Sequence, residues 1–152
     1  MQKTRSYRSA IISTALFVCY CASLGCYAQG RHAVDLPGTT QVLPFSDGIV
    51  VGNSLYVSGT QGTDSKGKLE DGISEQTRAA LETIRKVVTQ AGFGMKDVVA
   101  VNVYLSDIHD FAAMNKVYAT FFPNPKPTRT TVQVAALVNG AKIEISAIAV
   151  KQ

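Results

Sequence analysis

The side chains that could do chemistry are few, and they lie late in a chain of 152 residues. Arg129 follows a Pro-rich turn and directly precedes the β-branched run Thr130-Thr131-Val132. A guanidinium at the lip of a strand presents a fixed fork of donors, suited to gripping a carboxylate with two hydrogen bonds. From spacing alone the favoured reading is a surface arginine in an ion pair. Glu144 is the only acid after Asp110, inside a strand of Ile and Ala. A carboxylate there is costly to bury unless paired or hydrogen-bonded, although on an alternating strand it could simply face solvent. Asn115 is polar on a helix otherwise marked by Phe111, Met114 and Tyr118, and alone it reads as an ordinary exposed helix residue. His32 falls in a leader, and His109 sits beside Asp107 and Asp110 at a helix start, as a solvated neighbour of the cap. No Ser-His-Asp pattern, phosphate-cradling glycine loop or histidine pair at metal spacing is present. Neither a metal nor a cofactor is expected.

The first 28 residues differ from the rest. Lys3, Arg5 and Arg8 give a basic start, an apolar run follows from Ala10 to Leu24, and small residues close it before a cut after Ala28. That is the three-part layout of a secretory signal. Its apolar centre is short for a full span, which needs about 20 apolar residues. The expectation is an exported protein, periplasmic or extracellular. It would contact a membrane only if the segment stayed uncleaved or if Cys26 were lipidated. All three cysteines, Cys19, Cys21 and Cys26, lie in this segment. A mature domain would therefore have no disulfide and no thiolate nucleophile. Removing the signal also removes three positive charges, leaving 12 bases against 11 acids, a net of +1. That is no nucleic-acid footprint.

The elements that must position these residues can be read from Thr39 onward, after a loose leader over Gln29 to Pro37. Ile49 to Val51 and Leu55 to Val57 are short β-rich runs around a Gly52-Asn53 turn. Gly59 to Gly72 reads as a loop. A helix should start near Ser74 as cap, with Glu75 at its positive end. It would bury Thr77, Leu81, Ile84, Val88 and Ala91 and stop at Gly92. A strand follows over Val98 to Leu105, with Val99, Val101, Val103 and Leu105 on one face. Asp107 or Asp110 caps a second helix through Phe111, Met114, Tyr118 and Phe121, ended by Pro123, Pro125 and Pro127. Strands over Thr130 to Ala136 and Lys142 to Val150 flank a turn at Asn139-Gly140. The last alternates, with Ile143, Ile145, Ala147 and Ala149 on one face and Glu144, Ser146, Ile148 and Val150 on the other. The predicted fold class is α+β: two helices on one face of a mixed sheet. The other face would be partly apolar, through positions such as Val101 and Ile148, which predicts an oligomer.

The ordered set Ser58-Gly59, Ala91-Gly92-Phe93, Val103 to Asp107 with Phe111 to Phe122, Pro127 to Val134 and Lys142 to Val150 resembles the reactive-intermediate deaminase family (RidA/YjgF). The likeness runs from about Val42 to Lys151, giving a domain over 42–152 after a signal at 1–28 and a leader at 29–41. The resemblance implies a chorismate-mutase-like subunit in a homotrimer with clefts between subunits. It implies hydrolysis of small imines and enamines such as 2-iminobutanoate and 2-iminopropanoate to 2-keto acids and ammonia, without a cofactor. By the same resemblance Arg129 binds the substrate carboxylate and Glu144 orients the water. Asn115, Ser58 and Gly59 line the cleft, and Phe45 and Thr131 occupy substrate-contacting positions.

Three features depart from that pattern. Phe45 stands where tyrosine is common, Thr60-Gln61-Gly62 replaces Gln-Ile-Pro, and Thr131 replaces a frequent cysteine. These leave a rival expectation: a trimer of the same fold that binds small carboxylates without turning them over. A chaperone-like role has no local support in the sequence, and the net of +1 with no catalytic histidine argues against RNA cleavage.

Overall fold

Strict alternation along β6 (Ile143–Val150) organises the sheet: Ile143, Ile145, Ala147 and Ala149 are buried, while Glu144, Ser146, Ile148 and Val150 are half-exposed. The computed structural model describes residues 30–38 and 44–152. The expected signal at 1–28, with its cysteines and cut, and the expected domain start at residue 42 lie outside the described residues. β6 runs antiparallel to β3 (Ser54–Gln61) on one side and to β4 (Val98–Leu105) on the other. The six-stranded order is β1-β2-β3-β6-β4-β5, where β1 is Arg31–Val34, β2 Gly48–Val51 and β5 Thr128–Gln133. β4 and β5 are parallel and every other pair is antiparallel, so the sheet is mixed. The α+β class expected from the sequence is the observed one.

Helices α1 (Gly72–Gln90) and α2 (Phe111–Tyr118) share one core with the inward side of that sheet. Leu81, Ile84 and Val88 of α1 and Met114 and Tyr118 of α2 meet Leu55, Val57, Val103 and Ile145 there. α1 starts at Gly72 with Asp71 as N-cap, slightly ahead of the expected Ser74, and no side chain caps it. It stops where expected. Gly92 has φ +78°, its N–H donates to Thr89 O, and the Phe93 N–H reaches back to Val88 O, so two orphan carbonyls are satisfied at once. Asp107 caps the short turn before α2 by accepting from the His109 N–H.

Several expectations need correction. The leader is not loose: Arg31–Val34 forms β1, an edge strand zipped to β2. Asp47 and Asp35 tie it down, with Leu36 N–H donating to Asp47 Oδ2 at 2.8 Å and Asp47 N–H to Asp35 Oδ1 at 3.1 Å. Val99 is exposed, because the β4–β6 register shifts between Val98 and Ala100 and the extra residue is turned out of the alternation. Val101 belongs to the buried, helix-covered side and is not part of the open face. β5 ends at Gln133, short of Ala136, and pairs with β4. The Asn139-Gly140 turn therefore links strands that are not neighbours. Phe121 lies past the end of α2.

The open face keeps an apolar row across four strands: Ile49, Tyr56, Ile148 and Ala100. Tyr56 is 51% exposed. Among the described residues, helices cover only the opposite side.

Gln76 is buried at 5% exposure on α1. Its Oε1 accepts from the Lys142 N–H at 2.8 Å and its Nε2 donates to Glu70 O at 2.9 Å, which fastens the start of β6 to the helix. Gln76→Leu strands both backbone groups and should cost about 3 kcal/mol. Urea unfolding checks this, and a loss below about 1 kcal/mol would show that the clamp is not structural.

Candidate functional site

Glu144 points from the open face, in a cross-strand row with Gln61 of β3, Tyr104 of β4 and Val132 of β5. The chain makes room for it. A register shift between Val57 and Thr60 places a bulge at Ser58-Gly59, and a Cβ built on Gly59 would lie 2.3 Å from Glu144 Oε1. Any larger residue at position 59 would push the Glu144 carboxylate from this place. Gln61 Nε2 donates to Glu144 Oε2 at 3.3 Å and to Val138 O at 3.2 Å. Ser58 holds the segment leading into the strand, its Oγ donating to Ser46 O at 2.6 Å and its N–H to Asp47 O at 2.9 Å. Phe45, Asp47, Ser58, Gly59, Gln61 and Glu144 are among the lining of one open cavity of about 650 Å³.

Arg129 belongs to a second group. Its Nη1 donates to Asn115 Oδ1 at 2.8 Å. Its guanidinium lies over the Tyr118 ring at 4.5 Å and the Phe111 ring at 5.5 Å from the centroids. Asn115 uses one of five guanidinium donors, and the two rings hold the cation without consuming any. The fork is therefore fixed but still available to a carboxylate. Thr131, two residues along β5, is half-buried, and its hydroxyl takes no hydrogen bond among the described residues. The same holds for the Tyr118 hydroxyl.

These two groups face opposite ways. Arg129 is in register with Val101, on the helix-covered side, whereas Glu144 is in register with Tyr104, on the open side. Within one chain the structure brings together Phe45, Ser58, Gly59 and Glu144, and separately Arg129, Asn115 and Thr131. It does not join the two sets. His109 lies outside both: its ring is 90% exposed and its Nδ1 sits 2.8 Å from Asp107 Oδ1. The His109 backbone N–H, then its ring, hold the Asp107 carboxyl below the usual carboxylate range.

The family model described as Endoribonuclease L-PSP matches residues 39–151. The chain belongs to this family, the RidA/YjgF proteins. A RutC family protein of Pyrococcus horikoshii is 44% identical over 111 residues, covering 72% of this chain and 88% of that one. The 2-iminobutanoate/2-iminopropanoate deaminase of Rattus norvegicus is 40% identical over 109 residues, covering 70% of this chain and 80% of that one. The crystal structure of E. coli TdcF with bound serine superposes with a TM-score of 0.70 at 34% identity, covering 74% of this chain and 91% of that one. The RidA-like fold is thus both built from these residues and shared with solved relatives.

Sequence reasoning passed over Tyr118, Phe111 and Gln61. The first two read as core positions of α2, and nothing in their spacing marks them as a seat for a cation. Gln61 carried one signal, its place in the departure Thr60-Gln61-Gly62.

Burial pushes the Tyr118 phenol up to about 12, against the opposing pull of Arg129. The folded state therefore holds this proton more tightly than the unfolded chain, whose tyrosines titrate near 10. That contribution to stability is full below about pH 10 and is lost as pH rises towards 12. In absorbance titration one tyrosine should ionise late. Tyr118→Phe should flatten the loss of stability between about pH 10 and 12, and a loss as steep as in wild type would show that the buried phenol is not its source.

Proposed function

We propose that this protein hydrolyses small 2-imino and enamine acids to 2-keto acids and ammonia, in clefts built by two subunits of a homotrimer. The observation that carries this reading is the division of the site. An oriented arginine fork and a glutamate beside a cavity lie on opposite faces of one sheet, each incomplete alone. The apolar row on the open face supplies the reason to associate. Relatives named as imine deaminases, and one solved with bound serine, favour a ligand carrying a carboxylate.

Arg129 of one subunit would grip the substrate carboxylate with its free donors. That holds the C=N carbon near a water oriented by Glu144 of the neighbour, converting a bimolecular attack into a nearly intramolecular one. Glu144 accepts a water proton as the new C–O bond forms, and the C=N π pair goes to nitrogen. Return of that proton to nitrogen gives a carbinolamine. Glu144 then takes the hydroxyl proton and passes it to the amine as the C–N bond breaks and the C=O bond forms, so ammonia leaves and the ketone remains. The imine reacts readily with water unaided, so modest acceleration suffices. The family description names an endoribonuclease, but neither His109 nor His32 lines this cavity. Residues 1–28 have the layout of a secretory signal, which supports export.

The test uses two variants. Arg129→Ala and Glu144→Ala should each abolish acceleration of 2-iminobutanoate hydrolysis. Co-refolded in equal amounts, they should regain about a quarter of wild-type activity, the share of mixed sites with both residues intact. No recovery from trimeric mixtures would place the two residues in separate sites. A wild-type trimer that binds 2-keto acids without accelerating the reaction would leave a binding module, with Phe45→Tyr the first reversion to make. Arg129→Lys should weaken 2-keto acid binding about tenfold despite keeping the charge, because the fork is lost. Unchanged affinity would remove Arg129 from the carboxylate seat.

A further inference from the structure

We propose that Gln61 is the positioning residue of Glu144, a role taken up where this chain replaces Gln-Ile-Pro with Thr60-Gln61-Gly62. The inference rests on the deaminase reading and deepens it.

Three segments meet at the Gln61 amide. Nε2 divides its donors between Glu144 Oε2, at 3.3 Å, and the carbonyl of Val138 in the loop before β6, at 3.2 Å. Among the described residues it is the hydrogen-bond donor to this carboxylate. The other oxygen, Oε1, occupies the space that a side chain at position 59 would fill. The carboxylate is thus held at Oε2 by a donor while Oε1 sits in the room left by Gly59, so the Gln61 amide sets its rotation about the last side-chain torsion. An isoleucine at position 61 could supply neither donor.

The backbone under Gln61 is itself immobilised. A Cβ on Gly62 would fall 2.1 Å from Gln76 O, so the strand end presses directly on α1. The Glu70 N–H donates to Gly62 O at 3.0 Å and the Thr63 N–H to Gln61 O at 3.1 Å. Gln76 in turn holds the Lys142 N–H, two residues before Glu144. Gln61 and Glu144 are therefore fixed to one buried glutamine from two directions. A rigid support of this kind is what a water-orienting carboxylate requires, because its work is geometric.

The test is a double-mutant cycle in the full oligomer. Gln61→Met keeps length and flexibility but removes the donor. It should lower kcat for 2-iminobutanoate about tenfold and leave KM within about twofold, since the carboxylate seat on Arg129 is untouched. In the Glu144→Asp background, which keeps a carboxylate base but draws it back from the Gln61 amide, the same change should have no further effect on the residual rate. An equal fall in both backgrounds, or none in the first, would overturn the assignment. If wild type accelerates nothing, the deaminase reading itself fails. The Gln61 assignment is then decided by the side-chain amide resonances. Glu144→Gln should shift those of Gln61 and spare those of Gln90, which donates to Asp35 O. Unmoved Gln61 resonances would overturn it.

Discussion

The register of β6 is the constraint from which the rest follows. Side chains on a strand alternate with a period of two, so a slip of one residue would send Ile143, Ile145, Ala147 and Ala149 outward and carry Glu144 beneath the helices. Four apolar side chains would be exposed, and a carboxylate would be buried in a core without a partner. Both penalties act in the same direction, so one register is strongly specified. Because β6 lies at the middle of the sheet, its parity passes to β3 and β4 through their ladders and to β5 through β4.

The same parity divides the chemistry. Arg129 inherits the helix side from Val101, while Glu144 shares the open side with Tyr104 and the apolar row through Tyr56 and Ile148. A chain folded this way has a cation anchored on α2 and an anion anchored over Gly59, with the sheet between them. In the proposed trimer, covering the open face and completing the cleft are one event, so stability and activity would depend on the same surface. Association would then be a condition of chemistry as well as of solubility.

Legibility from sequence followed how much each element relies on side-chain burial. β6 and α1 bury long periodic stripes, and both were readable. β1 buries only Val34 and is held by ladder bonds and the Asp35–Asp47 ties, so its sequence has no period to read. The Val99 bulge is a local break in parity that a run of valines conceals. Among site residues, Arg129 and Glu144 stood out as polar residues beside apolar strands. Their distribution over two faces depended on which strand neighbours which, and a parallel β4–β5 pair with β6 inserted beside it cannot be read from local pattern. Tyr118 looked like core because it is core: the ring that seats the guanidinium also fills the space under α2.

The surroundings of Arg129 suit the carboxylate-holding role proposed for it. Its guanidinium lies against two aromatic rings beside two buried hydroxyls, those of Tyr118 and Thr131, that take no hydrogen bond among the described residues. Coulomb attraction grows as the local dielectric falls, so a carboxylate meeting the fork here is held more strongly than at an exposed arginine. Burying a cation would normally be costly, but the ring faces and the Asn115 carbonyl offset part of that cost before any ligand arrives. On the opposite face Glu144 keeps one oxygen on an amide and the other near an open cavity. In the proposed reaction, binding would fall to the aromatic-lined half and proton transfer to the half that opens on the cavity. That division suits a reaction whose substrate must be held by its carboxylate while water attacks at the adjacent carbon.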